Sequence, residues 1–413
     1  MNLLSTLTEP NGAKTTFTYD KAGRRTSTAY PNGVTQTITY DASGRQTQIK
    51  ATDRAGTVLT DFTYSYINPA TRKDTALRYR ATAIGATMDY AYDALDRLVD
   101  ARTSNARRFQ YSYDGNGNRL SQTVGGTTTN YSYDAANRLT AGGGLTYSYD
   151  NNGNLTGASN GRSLTYNAKN QTTGIKPPGL LSASVAMTYA GSTQDERTKA
   201  GNTTFTRGFG GVTIASEPGF LGLGSSNTYY TRDDRGNLVS QRLPSGTYYY
   251  LFDGLGSVVA LTDVNGGVAN RYLYDPYGNT IPAGTTGSVA NPWTFAVGFY
   301  DAVTGRYKFG TRYYDPSIGR WTQVDPELGE PAYVYADSNP VNFVDPDGDI
   351  PALAAVAAGA IIRAAGPRVA TASVAGSLGR RPAGLLAEGS RRRRLVLRDR
   401  SLAELTSDTS ASA

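Results

Sequence analysis

A short phrase, Tyr-Asp-x-x-Gly followed by Asn or Arg, returns along this chain often enough to dictate what it folds into. Copies begin at Tyr19-Asp20, Tyr40-Asp41, Tyr92-Asp93, Tyr113-Asp114, Tyr133-Asp134 and Tyr149-Asp150, with weaker ones at Tyr166-Asn167, Arg232-Asp233, Phe252-Asp253 and Tyr274-Asp275. The interval is 21 residues from Tyr19 to Tyr40 and again from Tyr92 to Tyr113, then 20, 16 and 17 to Tyr133, Tyr149 and Tyr166. Self-similarity at such a period marks an array of supersecondary units.

Within each unit the residue types specify strand and turn. Aromatics stand two apart before the Asp, as in Tyr90/Tyr92, Tyr111/Tyr113, Tyr131/Tyr133 and Tyr147/Tyr149. A period of two places both rings on one face of a strand. Asp-x-x-Gly then reads as a turn. The carboxylate of Asp20 or Asp114 caps local N–H groups, and Gly23 or Gly117 takes the left-handed position. Asp96 and Asn137 fill that position in two copies, and both tolerate it. A second turn falls in mid-repeat at Pro10-Asn11-Gly12 and Pro31-Asn32-Gly33. The expected fold is all-β: a long antiparallel strip of hairpins, curved into a partial shell. Asp150-Asn151-Asn152-Gly153-Asn154 has acidic and amide oxygens but no Glu at EF-hand spacing, so no metal is expected there.

Composition narrows the chemistry. The 413 residues include 30 Tyr and 47 Gly but no Cys and no His. Disulfides, thiolate metal sites, Ser-His-Asp and Cys-His catalysis and nearly all zinc enzymes are thereby excluded. Any reaction must use carboxylates, hydroxyls, Lys or Arg, and no cofactor is expected. The net charge of +7 is local: residues 350–413 hold ten Arg and four acids, and the body is nearly neutral. The start of the chain carries no secretion signal and is already in mid-repeat at Thr8-Glu9-Pro10, so the array is expected to begin upstream. The apolar run from Ile350 to Ile362 is too short to span a bilayer.

Three regions follow. Residues 1–285 are the array, with irregular ground at 51–89 and 172–228. Residues 286–349 change in kind, with Phe299-Tyr300-Asp301, Phe309-Gly310-Thr311-Arg312-Tyr313-Tyr314-Asp315-Pro316, then Asp325-Pro326 and Asp345-Pro346-Asp347-Gly348. Both Trp residues, Trp293 and Trp321, fall here, which reads as a compact plug. Residues 350–413 lose all tyrosine and become Ala- and Arg-rich. A short helix over 352–365 is expected there, followed by a weakly structured remainder.

The chain resembles the RHS/YD-repeat proteins, and 298–348 is similar to their RHS-repeat-associated core. That resemblance implies a hollow β-shell of a polymorphic toxin or toxin complex, closed by the core and holding a variable C-terminal segment as cargo. It also implies self-cleavage after the core, with Asp325 and Asp345 as the acids and Arg312 as the assisting cation. Two carboxylates sharing a site do not both ionise easily, so one holds a proton while the other activates water. The cut is expected within Gly348, Asp349 and Ile350, and Asp349 stands where the family shows an apolar residue. Further implied partners are secretion or toxin-complex proteins, and the implied location is secreted or cell-surface.

The rival reading is a wall-associated protein whose Tyr-rich face binds surface polysaccharide without catalysis. A third is an inert repeat segment. Arg391–Arg394 form a basic run without aromatic neighbours for base stacking, so nucleic-acid binding is not expected.

Overall fold

The computed structural model describes residues 3–83, 85–179, 181–191, 194–219, 224–326, 332–349 and 351–353. Twenty-six strands, from Thr6–Thr8 to Val268–Arg271, form one antiparallel sheet in which each strand pairs with the next in sequence. The all-β expectation holds. No α-helix occurs among the described residues, and none there is long and apolar enough to cross a membrane.

The turn chemistry builds the strip. In the turn at Asp114, Oδ1 accepts the N–H groups of Asn116 and Asn118, both at 2.9 Å. Oδ2 accepts the Asn118 side-chain amide at 2.8 Å. Where the fifth residue is Arg, its Nε donates to the same oxygen: Arg24 to Asp20 at 2.6 Å, Arg97 to Asp93 at 2.7 Å. Gly117 adopts φ +83°, and Asp96 and Asn137 take +62° and +61° in its place. Each turn follows a register shift beside the Tyr, as between Ser112 and Tyr113, and such bulges add local twist.

Tyrosine links one repeat to the last. Its hydroxyl donates to a carbonyl at or just before the start of the preceding strand: Tyr19 to Leu4 at 2.9 Å, Tyr40 to Arg25 at 2.8 Å, Tyr113 to Leu98 at 2.7 Å and Tyr133 to Arg119 at 2.8 Å. The turn's Arg lies over the next ring, Arg24 at 4.5 Å from Tyr40 and Arg97 at 4.9 Å from Tyr113. Five residues beyond the turn Asp, Leu98, Leu139, Leu155, Leu238 and Val258 are at most 2% exposed. Each such burial stabilises the sheet by roughly 1.5–3 kcal/mol.

The two stretches expected to be irregular carry strands of the sheet, although 66–79 is turn and isolated bridge as expected. Val58–Ser65, Arg80–Ala83 and Ala86–Tyr92 continue the sheet, as do six strands from Thr172–Lys176 to Ser225–Arg232. Their turns use other residues: Asp53 caps Ala55 and Thr57 at 2.9 and 2.8 Å, with Thr52 where Tyr usually stands. The first hairpins also lie against the last strands. Tyr30 donates to the Tyr250 carbonyl at 2.6 Å, Arg25 pairs with Asp233 at 2.6 Å, and Phe17, Tyr30 and Val34 pack with Tyr249, Leu251 and Val259.

Residues 293–349 form a separate small sheet of Phe299–Asp301, Arg306–Phe309, Arg312–Asp315 and Arg320–Trp321. Phe309, Tyr314, Trp321 and Tyr335 pack at its centre, with Tyr314 and Tyr335 centroids 4.3 Å apart. This end piece docks on the array turns in succession. The left-handed residues Asp96, Gly117, Asn137, Gly153 and Asn170 present their carbonyls to Asn339, Ser338, Arg320, Tyr333 and Gln323 at 2.7–3.0 Å. The helix expected to begin at 352 is not formed there. Ala352–Leu353 pairs instead with Phe343–Val344, so those backbone groups are satisfied by a hairpin. The rest of that segment and the basic run at 391–394 lie outside the described residues.

Candidate active site

Arg312 opens the strand Arg312–Asp315, all four of whose residues are buried. The tight connection Gly310-Thr311 swings it towards the turn that follows Phe343–Val344. There Gly310 and Asp347 approach so closely that a Cβ on Gly310 would sit 2.0 Å from the Asp347 carbonyl oxygen. Thr311 donates its N–H to that oxygen at 2.8 Å. The guanidinium of Arg312 lies 4.2 Å from the centre of the Trp321 ring, which fixes its plane.

The three residues singled out in the sequence converge. Arg312 Nη2 stands 2.7 Å from Asp325 Oδ2 and 3.1 Å from Asp345 Oδ2. None of these side chains is more than 4% exposed. Arg312 Nε donates to the Gly348 carbonyl, while Thr311 Oγ1, 3.0 Å from the same oxygen, gives its proton to Asp349 Oδ1 at 2.5 Å. The N–H of Asp349 donates to Asp345 Oδ1 at 3.0 Å. The Gly348–Asp349 peptide is therefore held on both sides, its oxygen by Arg312 and its nitrogen by Asp345. Arg312 Nη1 is buried with no hydrogen-bond partner among the described residues.

Burial pushes the Asp345 carboxyl up to about 6, with the nearby Asp325 and Asp349 adding to the rise and Arg312 and the Asp349 N–H opposing it. Burial also pulls Arg312 down, against the attraction of Asp345, Asp325 and Asp349. The pocket thus keeps Asp345 protonated to higher pH than an ordinary carboxyl, beside a guanidinium, a pairing suited to general acid catalysis and carbonyl polarisation.

The third Asp-Pro dipeptide does something else. Asp315 pairs with Arg162 at 2.8 Å and Arg306 at 3.2 Å, tying the end piece to the array. Gly348 and Asp349 lie in the site, and Ile350 lies outside the described residues. Thr311 went unnoticed in the sequence because a lone Thr between Gly and Arg carries no chemical pattern. The tyrosine face offers no open aromatic platform at Tyr64, Tyr111, Tyr131 or Tyr249, each at most 8% exposed.

Comparison with known proteins places these features in context. Residues 75–175 and 224–343, just over half of the chain, match the teneurin YD-shell family model, and residues 2–35 match the RHS repeat. The tRNA3(Ser)-specific nuclease WapA of Bacillus spizizenii is 35% identical over 127 residues, 29% of this chain and 5% of that protein. Teneurin-4 of Mus musculus is 27% identical over 272 residues, 61% of this chain and 10% of that protein. The Photorhabdus luminescens Tc holotoxin pore structure aligns with 82% of this chain and 21% of its own, at 18% identity and a TM-score of 0.45. The chain therefore spans a small part of the length of these relatives.

Proposed function

Because this chain belongs to the teneurin YD-shell family, we propose that it is the part of a secreted or surface toxin shell that carries its own C-terminal segment as cargo and cuts that segment free. In this reading residues 1–285 are the shell, 286–348 the cutting end piece and 349–413 the released part. What supports it is the grip of Arg312 and Asp345 on the two sides of one peptide, Gly348–Asp349.

The step is a hydrolysis. Arg312 Nε draws charge onto the Gly348 carbonyl oxygen. A water molecule gives one proton to the Asp325 carboxylate and attacks the carbonyl carbon. As the C–N bond breaks, the protonated Asp345 gives its proton to the Asp349 nitrogen, 3.0 Å away in the ground state. Gly348 leaves as a carboxylic acid and Asp349 as a new amino terminus. The proton taken by Asp325 then returns to Asp345 or to solvent. One such event per chain suffices, so each molecule is consumed by its own reaction.

The test is the intact mass of purified protein over time, for the wild type and for Asp325→Asn. Conversion to two fragments in the wild type but not in the variant supports the proposal. A wild type that stays whole at every pH removes it.

A further inference from the structure

The loop bearing Asp345 is a repeat turn in disguise. Asp345-Pro346-Asp347-Gly348-Asp349 has the frame of Asp20 to Arg24: Gly348 is at φ +69°, and the fifth residue's N–H meets the Asp Oδ1 at 3.0 Å in both. In many array turns that fifth residue bonds the Asp with its own side chain, Arg24 as a cation to Asp20 at 2.6 Å and Asn279 as a neutral amide to Asp275 at 2.8 Å. Here the fifth residue is Asp349, an acid, and the missing cation is supplied from another strand by Arg312.

Asp349 is turned inward. It is 5% exposed, and its Oδ1 accepts a 2.5 Å hydrogen bond from Thr311 Oγ1. The groups that face this cluster are the cations Arg312 and Lys308, the latter donating to the Phe309 and Gly310 carbonyls, and the acids Asp325 and Asp345 with the Tyr335 phenol. Asp347 is on the same turn and points to solvent. An extra buried negative charge beside two acids that share one guanidinium favours retention of a proton on one of them.

We propose that Asp349 is a positioning residue of the self-cleavage site, its buried carboxylate holding the proton on Asp345 so that Asp345 remains a donor towards neutral pH. This rests on the self-cleavage reading and adds a regulator to it. An apolar residue at 349 would give a site confined to more acidic conditions.

Two measurements test it. The pH profile of cleavage, read by intact mass, is compared among wild type, Asp349→Asn and Asp349→Glu. The expected result is a midpoint lowered by about one pH unit in Asp349→Asn and restored in Asp349→Glu. An unmoved midpoint, or faster cleavage at neutral pH in Asp349→Asn, overturns the proposal. The second measurement uses the Asp325→Asn background, where the chain stays whole. There the Asp345 carboxyl carbon, assigned with Asp345→Asn, is titrated by NMR with and without Asp349→Asn. A downward shift on removing the Asp349 charge supports the proposal, and identical titrations refute it even if the wild type never cuts itself.

Discussion

The backbone N–H of Asp349 meets Asp345 Oδ1 at 3.0 Å, the same bond at the same length that joins Arg24 to Asp20 in the first repeat. One turn design therefore serves both for building the ribbon and for presenting an acid to a peptide. What differs is the fifth side chain, which bonds the carboxylate within the turn in the array and leaves that place to Arg312 in the end piece.

The array version of this turn is open to a stability test. Asp114→Ala deletes three accepted hydrogen bonds, to Asn116 N, Asn118 N and Asn118 Nδ2. The expected loss is about 1–2 kcal/mol, the scale of a lost cap. Asp114→Asn keeps the Oδ1 acceptor and should lose less. The denaturation midpoints of the two variants decide this.

The tyrosine ladder gives a second expectation. Tyr113 donates to the Leu98 carbonyl at 2.7 Å and its hydroxyl lies 2.8 Å from that of Tyr277. Tyr113→Phe leaves both partners short of a bond in a half-buried setting. A destabilisation of roughly 1–2 kcal/mol is expected, measured by urea unfolding. A variant as stable as the wild type would make the ladder incidental.

Asp345 predicts an unusual pH dependence. Its carboxyl rises from 3.8 to about 6 on folding, so the folded chain binds more protons than the unfolded one between those limits. Stability is therefore lost as pH climbs from about 4 to about 6, by about 3 kcal/mol for this group alone. The sign is opposite to that of a carboxylate locked by a salt bridge. Thermal melts of uncut protein should show this slope, and Asp345→Asn should remove it.

The close approach of Gly310 and Asp347 can be broken without touching an acid. Gly310→Ala places a methyl 2.0 Å from the Asp347 carbonyl oxygen, a backbone atom that cannot step aside alone. The 345–349 turn must move away from Arg312. The expected outcome is loss of self-cleavage with Asp325, Asp345 and Arg312 all present, read by intact mass alongside a circular dichroism spectrum that still reports β-structure. Cleavage at the wild-type rate would show that the grip on the Gly348–Asp349 peptide is not needed.

Much of this was legible in the residues because turn chemistry is local. The caps at Asp20 and Asp114, the left-handed Asp96 and Asn137, and the paired tyrosines all act within a few positions of one another. The convergence of Arg312 with Asp325 and Asp345 was carried by family resemblance, since nothing local links residues 33 apart. Three features were not legible. The stretches 51–89 and 172–228 lack the Tyr-Asp pair that flags a repeat: Asp53 follows Thr52, while Tyr66 and Tyr189 are followed by Ile67 and Ala190. The buried apolar residue after several of the turns, Leu98 or Leu155, looks like any other leucine until its neighbours are known. The inward set of the Asp349 carboxylate depends on Thr311, brought to it only by tertiary contact.

The most direct test of the account is to let the purified chain react in water carrying the heavy oxygen isotope and to weigh the amino-terminal product. The account predicts a fragment ending at Gly348 with one heavy oxygen in its new carboxylate, formed in the wild type and absent in Asp325→Asn. A fragment ending at Asp349 would move the cut one bond along, to Asp349–Ile350, and contradict the grip on the Gly348–Asp349 peptide as the cutting geometry. An intact chain under all conditions, or a cut that survives Asp325→Asn, would contradict the assignment of Arg312, Asp325 and Asp345 as the machinery.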